Sequence, residues 1–421
     1  MRNTDCFKGK KIAVIGLARS GLFAANLLCD LGAQVWVTDK SSSDATKEFA
    51  SKIKSPQIRV ELGKHTPEFI QGKDLVVISP GVTNEALPVV WARQQKIPVI
   101  SEIELGWILC PAEIIAVTGS SGKTTVTTLI GKILEASGKK VFVCGNIGNP
   151  FCSEVHLMEK DGYVVLEVSS FQLVNIEKFK PKVALILNFT RNHLDWHKDM
   201  QEYLDAKKRI FMNQDNSDYL VLNQQDSLLR GLAKEAKGKI VYFEESEGLN
   251  PNQAAVCAVG SLLGVDKKII LKVLGDFKGI EHRMEFVANI NGVNFINDSK
   301  ATTADSTLWA LKNINNPIVL IAGGKDKGVD YSLILNEARH KVREAVLIGE
   351  ARGVIAKALK GAINIDEALT FEEAVKKAFL KAKPGDSVLL SPMCSSFDMF
   401  SNYEERGRVF KKLVLELEGK L

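Results

Sequence analysis

The 421-residue sequence has few cysteines, no long apolar run and no marked excess of charge of either sign. Its seven cysteines are scattered without a C-x-x-C pair, which argues against a disulfide or zinc framework and favours a reducing compartment. Apolar runs such as 183–187 and 318–322 are far shorter than the ~20 residues that a membrane-spanning helix needs. The net charge of +5 forms no basic stripe. We therefore expect a cytoplasmic protein with no membrane span and no nucleic-acid partner.

The chain does contain a regular alternation of short β-branched runs with helical stretches, which is typical of parallel sheets built from βαβ units. The predicted strands fall into three series: 11–15, 34–38 and 74–78; 113–117, 163–167 and 183–187; 293–296, 317–322, 344–348 and 387–390. Asn291-Gly292 predicts a hairpin. We therefore predict an α/β protein of three domains, with boundaries at 1–100, 101–280 and 281–421.

A glycine-containing turn follows the first predicted strand. It reads Gly16-Leu-Ala-Arg-Ser-Gly21, opens a helix, and is followed by Asp39 at the end of the next strand. The pattern is typical of Rossmann-like domains, in which glycines permit a tight turn and helix-end amides face a diphosphate. Ala18 replaces the central glycine. The motif alone therefore leaves three interpretations open: a nicotinamide dinucleotide site, a UDP-sugar site, or a tight turn without a ligand.

The second motif is a phosphate-binding loop. Thr118-Gly-Ser-Ser-Gly-Lys-Thr-Thr125 lies between the strand at 113–117 and a predicted helix. Its backbone amides can cradle phosphates, Lys123 can neutralise the β/γ oxygens, and the Thr124 hydroxyl can hold Mg²⁺. The loop is shorter than the usual G-x-x-x-x-G-K-[ST] because position 117 is Val, and this short form belongs to a subset of ATP users. We therefore predict a central P-loop domain of the ATPase type that binds a mononucleotide.

Polar residues follow the next two predicted strands. Glu167 ends the strand at 163–167, at the sheet edge where α/β proteins bind ligands, which favours a metal ligand over a helix cap. The segment 188–197 holds two of the six histidines. His193 and Asp195 in it could serve a second cation or a phosphate, or could cap the following helix. For Lys207, spacing alone predicts only a solvated helix residue.

Lysines and hydroxyls gather at strand ends in the third predicted domain. Lys300 follows the strand at 293–296, and Lys327 lies in the glycine- and lysine-rich segment after 317–322. Ser396 lies shortly after the last predicted strand. Each segment singly could be a turn, but together they predict a pocket for a carboxylate ligand.

Taken in order, these motifs resemble those of the Mur ligases of bacterial cell-wall synthesis. The matching segments are 118–125 (TGSSGKTT), 167–173 (EVSSFQL), 188–197 (NFTRNHLDWH), 282–283 (HR) and 297–302 (NDSKAT). Two more segments, 323–330 and 391–407, resemble the D-glutamate-adding members, and the likeness covers essentially the whole chain. It implies an ATP-dependent ligase that joins D-glutamate to UDP-N-acetylmuramoyl-L-alanine, and we separately expect the protein to be a monomer. The likeness also implies a UDP-substrate domain, an ATP domain and a D-glutamate domain in that order, the outer two Rossmann-like.

The resemblance further implies roles for particular residues. The catalytic residues would be Lys123, His193 and Lys207. Two Mg²⁺ ions would be held, one by Thr124 and Glu167, the other by His193 and a carbamylated Lys207. ATP would be bound by Gly119, Ser120, Ser121, Gly122, Lys123, Thr124, Thr125, Asn252, Arg283 and Asp298. The UDP-substrate would be bound by Arg19, Ser20, Asp39, Asn146 and Ser169, and D-glutamate by Lys300, Thr302, Lys327, Ser396, Phe397 and Tyr403.

Carbamylation needs a neutral amine, so we expect Lys207 to be partly buried beside Tyr203, with a lowered pKa. The family's adenine-side pattern H-N-x-x-N is reduced to residues 248–252, in which only Asn252 matches, and this leaves the adenine contacts open. Thr303 stands where Asn is usual, and Tyr403 where Phe is common.

Other ligases are the near alternatives: a different Mur ligase, or a folylpolyglutamate-type ligase, which would lack the domain at 1–100. The alternative from another class is a dinucleotide-dependent oxidoreductase or binding protein that uses the turn at 16–21. That alternative gives the P-loop and the lysines between 300 and 327 no role.

Overall fold

The computed structural model describes residues 3–190, 196–246, 248–326, 328 and 330–418. These residues form an α/β protein with three sheets, as predicted from the alternation of strands and helices. The chain divides between Asp276 and Phe277 into two compact units, of which the first holds two sheets and the second holds one. Within the described ranges, no helix combines the length and the apolar character that crossing a membrane requires.

The first sheet of the first unit has five parallel strands. They are β1 (Lys11–Ile15), β2 (Gln34–Asp39), β3 (Arg59–Leu62), β4 (Leu75–Ile78) and β5 (Val99–Ser101), with helices α1 (Arg19–Asp30), α2 (Asp44–Ser51), α3 (Leu87–Gln94) and α4 (Glu102–Leu109). The strand order is β3-β2-β1-β4-β5. The central strand β1 is apolar and buried because helices cover both faces of a parallel sheet. The predicted strands at 11–15, 34–38 and 74–78 agree with β1, β2 and β4 to within one residue.

The second sheet has six parallel strands. They are β6 (Glu113–Thr118), β7 (Val141–Gly145), β8 (Tyr163–Glu167), β9 (Val183–Ile186), β10 (Tyr219–Asn223) and β11 (Lys239–Phe243). The strand order is β11-β10-β9-β6-β8-β7. The helices are α5 (Lys123–Ala136), α6 (Phe151–Glu154), α7 (Ser170–Leu173), α8 (Met200–Lys208), α9 (Ser227–Leu232), α10 (Pro251–Leu262) and α11 (Lys267–Asp276). Because β6 lies between β9 and β8, the loops that follow these three strands emerge side by side at one sheet edge.

The first two sheets share one hydrophobic core, in which α4 packs against α6. Gly106 of α4 allows this approach, since a Cβ there would lie 2.4 Å from a ring carbon of Phe151. The carboxylate of Glu102 accepts a hydrogen bond from the backbone N–H of Cys152 at 2.7 Å. Burial raises the pKa of Glu102 to about 7. The packing of α4 against α6 therefore connects the first two sheets within one unit.

The second unit is built on a mixed sheet of six strands. They are β12 (Glu285–Ile290), β13 (Val293–Asn297), β14 (Ile318–Gly323), β15 (Val342–Ile348), β16 (Asn364–Glu367) and β17 (Ser387–Leu390), in the order β12-β13-β17-β14-β15-β16. The helices are α12 (Ala304–Asn313), α13 (Leu335–Lys341), α14 (Arg352–Leu359), α15 (Phe371–Lys381) and α16 (Tyr403–Glu418). Short 3₁₀ helices span Thr4–Phe7, Pro67–Phe69, Val155–Leu157, Arg209–Phe211 and Tyr331–Ile334.

The hairpin predicted at Asn291-Gly292 is confirmed. β12 and β13 are antiparallel, and both turn residues have positive φ, 51° and 80°, as a two-residue hairpin turn requires. The remaining neighbours are parallel. Since β13, β17 and β14 are adjacent, the segments that follow them start at one edge of this sheet.

The buried carboxylate of Glu104 on α4 is expected to contribute to the stability of the first unit. Glu104 accepts the backbone N–H groups of Glu177, Lys178 and Phe179 at 3.0, 2.9 and 2.9 Å. Glu104→Ala should lower the free energy of unfolding by about 2–4 kcal/mol, because three N–H groups lose their acceptor. Urea unfolding followed by tryptophan fluorescence measures this. The control is Glu48→Ala, an exposed helix residue paired with Lys52, which should cost less than about 0.5 kcal/mol. Equal losses in the two variants would contradict this account.

Candidate functional site

The turn between β1 and α1 is closed by Asp39. One carboxylate oxygen of Asp39 accepts the N–H of Leu17 at 2.6 Å, and the other accepts the N–H of Ser41 at 2.7 Å. Gly21 cannot be replaced without a backbone shift, since a Cβ there would lie 1.9 Å from the carbonyl oxygen of Gly16. The structure thus brings Asp39 to the turn that opens α1, the helix whose first residues are Arg19 and Ser20.

Arg19 links this turn to the second sheet. Its guanidinium donates a 2.6 Å hydrogen bond to the side-chain oxygen of Asn149, in the loop between β7 and α6. In the same loop, Asn146 donates its side-chain N–H to a carboxylate oxygen of Glu167 at 3.1 Å, and its backbone N–H to the carbonyl of that residue at 2.9 Å. One short loop therefore joins the first glycine turn to the end of β8.

The phosphate-binding loop runs from the end of β6 at Thr118 to the start of α5 at Lys123. Gly122 caps the helix with φ of +78°, and a Cβ there would lie 2.4 Å from the side-chain oxygen of Asn252 on α10. The ammonium of Lys123 donates to the carbonyl oxygens of Gly119 and Ser120 at 2.9 and 3.3 Å. Lys123, Thr124 and Thr125 form the first turn of α5, which presents backbone N–H groups suited to phosphate oxygens.

The segment after β9 holds the P-loop in place. The side-chain oxygen of Asn188 accepts the backbone N–H groups of Ser120 and Ser121 at 3.0 and 2.9 Å, and its amide donates to the carbonyl of Ser121 at 3.2 Å. The Ser120 hydroxyl donates to the carbonyl of Thr190 at 2.9 Å and lies 3.1 Å from the hydroxyl of Tyr203. Sequence reasoning did not assign Asn188 a function, although it opens the motif at 188–197.

A buried carboxylate lies beside the P-loop. Glu167 ends β8, pairs in register with Val117 of β6, and is 2% exposed. Its Oε2 accepts no hydrogen bond from any residue that the structure describes. Burying a carboxylate oxygen without a hydrogen-bond donor costs free energy. Such an oxygen is a suitable ligand for a hard cation. Thr124, also buried, offers a hydroxyl from the first turn of α5. These residues fit a Mg²⁺ site. The neighbouring Ser169 caps α7, whose Gln172 accepts its backbone N–H at 2.9 Å.

Lys207 extends from α8 to the same P-loop and is 1% exposed. Its ammonium donates to the carbonyl of Gly119 at 2.9 Å and to the hydroxyl of Thr118 at 3.3 Å. It also lies 4.6 Å from the centre of the Tyr203 ring, on the helix face expected from their spacing. Burial, with a smaller effect from the charge of Lys123, holds the pKa of Lys207 well below its usual range. The solvated position that spacing alone predicts for Lys207 is therefore wrong, whereas the expected burial of Lys207 beside Tyr203 is found.

The expected ATP residues Arg283 and Asp298 lie in the second unit. Asp298 is buried, accepts the N–H of Met284 at 3.2 Å and the hydroxyl of Ser391 at 3.0 Å, and burial raises its pKa to about 7. Arg283 is half-buried, and its charge acts to lower the pKa of Asp298. Arg283 precedes β12 and Asp298 follows β13, so both lie at the open end of the β12–β13 hairpin in the mixed sheet.

Of the expected D-glutamate residues that the structure describes, Lys300 and Tyr403 lie together at the start of α16. The ammonium of Lys300 lies 5.7 Å from the ring centre of Tyr403, the first residue of α16. Thr302 donates its backbone N–H to the carbonyl of Lys300 at 2.9 Å. Ser396 is buried, whereas the adjacent Phe397 is 63% exposed. His193 and Lys327, expected at the metal and D-glutamate sites, lie outside the described residues.

A P-loop with a buried carboxylate at the adjacent strand end defines a nucleotide-binding α/β protein. Comparison with protein families is more specific. Residues 10–101 match the Mur ligase MurD-like N-terminal domain, residues 117–296 the Mur ligase middle domain, and residues 282–394 the Mur ligase glutamate ligase domain. The chain belongs to the Mur ligase family.

Relatives with curated names agree along the whole chain. The UDP-N-acetylmuramoylalanine–D-glutamate ligase of Thermoanaerobacter sp. (strain X514) is 41% identical over 449 aligned residues, covering 97% of this chain and 99% of that protein. A protein of the same name from Geotalea uraniireducens (strain Rf4) is 42% identical over 443 residues, covering 97% and 98%.

Solved structures share the fold at low identity. The UDP-N-acetylmuramate–alanine ligase MurC of Thermotoga maritima has a TM-score of 0.59 at 19% identity, covering 97% of this chain and 99% of that chain. FolC of E. coli, solved in complex with DHPP and ADP, has a TM-score of 0.56 at 17% identity, covering 75% and 92%. These likenesses concern the fold alone.

Two glycines at the ends of α5 allow a matched test of the P-loop. Gly122 and Gly138 have nearly equal φ, +78° and +81°, but only Gly122 has a side chain, Asn252, in the path of a Cβ. Both Gly→Ala changes should cost about 1 kcal/mol of stability from backbone strain. Only Gly122→Ala should weaken ATP binding, by about tenfold or more, because Asn252 or the loop must move. Calorimetric titration with ATP and Mg²⁺ measures this. Wild-type affinity in Gly122→Ala would refute the P-loop assignment.

Proposed function

We propose that this chain is the ATP-dependent ligase that joins D-glutamate to UDP-N-acetylmuramoyl-L-alanine in peptidoglycan precursor synthesis, releasing ADP and phosphate. The observation that carries the proposal is a P-loop beside the buried carboxylate of Glu167, one oxygen of which accepts no hydrogen bond from the described residues, in a chain 41% identical over 97% of its length to a protein named for this reaction. The phosphate-binding turn agrees with an ATP substrate. A dinucleotide-dependent oxidoreductase is not supported, because it leaves this site without a role.

The three sheets suit a division of the substrates. In this proposal, residues 1–100 bind the UDP-substrate, residues 101–280 bind ATP, and residues 281–421 bind D-glutamate. Family matches with separate N-terminal, middle and glutamate ligase domains support that division. ATP and a nucleotide-linked sugar are intracellular metabolites, so the enzyme would act in the cytoplasm. We further propose that it acts as a monomer.

The reaction begins at a carboxylate, which is a poor acylating agent. The alanyl carboxylate oxygen attacks the γ-phosphorus of ATP, the bond from that phosphorus to the β,γ-bridging oxygen breaks, and an acyl phosphate and ADP form. The uncharged amine of D-glutamate then attacks the acyl carbon, the carbon–oxygen bond to phosphate breaks, and the amine loses a proton. Catalysis is mainly positioning and charge neutralisation. Lys123 and the N–H groups of Gly122–Thr125 would hold the phosphates.

Two Mg²⁺ ions are proposed at this edge of the sheet. Thr124 and Glu167 would hold one, and His193 with Lys207 the other. When bound, the ions would neutralise the phosphate charge that ATP brings. Asn146, bonded to Glu167, would orient that carboxylate while facing the UDP-substrate together with Arg19, Ser20, Asp39 and Ser169.

The remaining substrate contacts follow from the resemblance. Asn252, Arg283 and Asp298 would complete the ATP site with the P-loop residues, and the position of Asn252 against Gly122 supports its share. D-Glutamate would be bound by Lys300, Thr302, Lys327, Ser396, Phe397 and Tyr403. Lysine ammoniums and hydroxyls are the donors that two carboxylates need.

The function is tested by phosphate release in the presence of ATP, Mg²⁺ and a panel of UDP-muramoyl compounds and amino acids. Release should require both UDP-N-acetylmuramoyl-L-alanine and D-glutamate. Lys123→Ala should reduce kcat by about a hundredfold or more, because it removes the ammonium group that neutralises the phosphate charge. Lys132→Ala, an exposed lysine on the same helix, is the control and should retain wild-type turnover. Equal release with other amino acids, or full activity of Lys123→Ala, would overturn the proposal.

Lys207 carries a separate proposal, that its amine is carbamylated by CO₂. A lysine ammonium would repel a cation held by His193, whereas a carbamate supplies an anionic oxygen ligand. The reaction needs an uncharged amine, and the burial of Lys207 together with its lowered pKa supports that state. The nearby Tyr203 ring covers the ammonium from one side.

Carbamylation is tested with ¹³C-bicarbonate and NMR. A carbamate carbon signal should appear in the wild type and disappear in Lys207→Arg, which keeps its charge and cannot be carbamylated. Lys207→Arg should also lose most activity. Lys208→Arg, one residue along and paired with Glu235, is the control and should keep both signal and activity. A fully active Lys207→Arg variant, or a signal that it retains, would contradict this proposal.

A further inference from the structure

Two segments of the second unit run side by side where β14 and β17 end. The backbone N–H of Lys325 donates to the carbonyl of Ser395 at 2.9 Å, and the N–H of Gly323 donates to the carbonyl of Pro392 at 2.8 Å. Gly324 is needed for this approach, since a Cβ there would lie 2.3 Å from the carbonyl oxygen of Ser395. We call these the β14 loop (324–326) and the β17 loop (391–396).

The hydroxyl of Tyr331 forms hydrogen bonds with both loops. Tyr331 lies in the 3₁₀ turn Tyr331–Ile334, is 2% exposed, and donates to Oδ1 of Asp326 at 2.8 Å. The same hydroxyl lies 3.2 Å from the thiol sulfur of Cys394. Because a phenol has one proton, the phenol donates to Asp326 and the thiol of Cys394 donates to the phenol oxygen. A chain of two hydrogen bonds thus crosses from one loop to the other.

The residues at both ends of this hydrogen-bond chain, Asp326 and Cys394, form further hydrogen bonds. Oδ1 of Asp326 also accepts the N–H of Gly328 at 2.9 Å, which closes a turn. The carbonyl of Cys394 accepts a 3.1 Å hydrogen bond from the buried guanidinium of Arg406, which donates as well to the carbonyl of Ser299 at 2.9 Å. Ser396, assigned above to D-glutamate, lies two residues beyond Cys394. The position of Ser396 therefore depends on how this loop is held.

The hydroxyl is not needed to fill space. The ring of Tyr331 packs in the core that includes Ile334, Leu320 and Cys394, where a Phe ring would serve equally well. Burying a hydroxyl is unfavourable unless it is hydrogen-bonded, and this one is bonded on both sides. Burial and its partners raise the pKa of Tyr331, so the hydroxyl remains a donor at neutral pH.

We propose that Tyr331 is a positioning residue for D-glutamate: its hydroxyl ties the β14 loop to the β17 loop and so fixes Ser396 in the amino-acid pocket. This inference rests on the function proposed above and adds a specificity determinant to it. Because Tyr331 is buried, it would act through the two loops and not by touching the substrate. Its effect should appear in the affinity for the amino acid and not in the chemistry at the P-loop.

The test is Tyr331→Phe, which removes only the hydroxyl. The KM for D-glutamate should rise about fivefold, which corresponds to about 1 kcal/mol at 1.4 kcal/mol per factor of ten. The kcat and the KM values for ATP and the UDP-substrate should change by less than about twofold. Tyr242→Phe, an exposed tyrosine of β11, is the matched control and should leave all constants unchanged. The wild type must first show D-glutamate-dependent phosphate release, since its absence would refute the proposed function instead.

A second set of variants separates positioning from general stability. Asp326→Asn keeps the acceptor oxygen and should behave as wild type, whereas Asp326→Ala should raise the KM for D-glutamate as Tyr331→Phe does. Combining Asp326→Ala with Tyr331→Phe should add little, because both break the same link. An unchanged KM for D-glutamate in Tyr331→Phe would overturn the proposal. So would a uniform loss across all substrates that follows a fall in Tm.

Discussion

The carbonyl oxygen of Gly119 accepts hydrogen bonds from two lysine ammonium groups, Lys123 and Lys207, at 2.9 Å each. Lys207 is buried, and the contacts that the structure gives its ammonium are the carbonyl of Gly119, the hydroxyl of Thr118 and the ring of Tyr203. Two like charges at one buried oxygen repel each other, and burial together with the charge of Lys123 holds the pKa of Lys207 well below its usual range. The P-loop thus contacts a buried amine whose charged form is disfavoured, and the proposed carbamate and second cation both depend on the neutral form of that amine.

Strand order explains how this site is assembled from distant segments. With β6 between β8 and β9, the P-loop, Glu167 and Asn188 all leave the sheet at one edge. Asn188 then binds the P-loop backbone with both ends of its amide, and Ser120 is bonded to Thr190 on the same segment. A displacement of the segment after β9 would therefore displace the phosphate-binding amides as well. The same hydrogen bonds therefore position both the P-loop that binds ATP and the segment after β9.

Much of the fold could be predicted because central strands of parallel sheets are continuous apolar runs. The strands at 11–15, 163–167 and 387–390 have the predicted bounds. Edge strands such as β3, with Arg59 and Glu61, have no such apolar run. In the structure, β3 is identified by its pairing with β2. The roles of Asn188, Glu104 and Tyr331 could not be predicted for a related reason. Each is a single polar residue whose function depends on a hydrogen-bond partner far away in the sequence, and no local pattern specifies that partner.

The central claim is that the alanyl carboxylate is activated by transfer of the γ-phosphoryl group. It is tested most directly with UDP-N-acetylmuramoyl-L-alanine whose alanyl carboxylate carries ¹⁸O in both oxygens, turned over with D-glutamate, ATP and Mg²⁺. Mass spectrometry of the released phosphate should find one ¹⁸O atom per molecule, because the oxygen that attacks phosphorus leaves with phosphate when the amide bond forms. Phosphate free of ¹⁸O, together with an amide product that forms at the normal rate, would contradict an acyl phosphate and with it the role assigned to the P-loop.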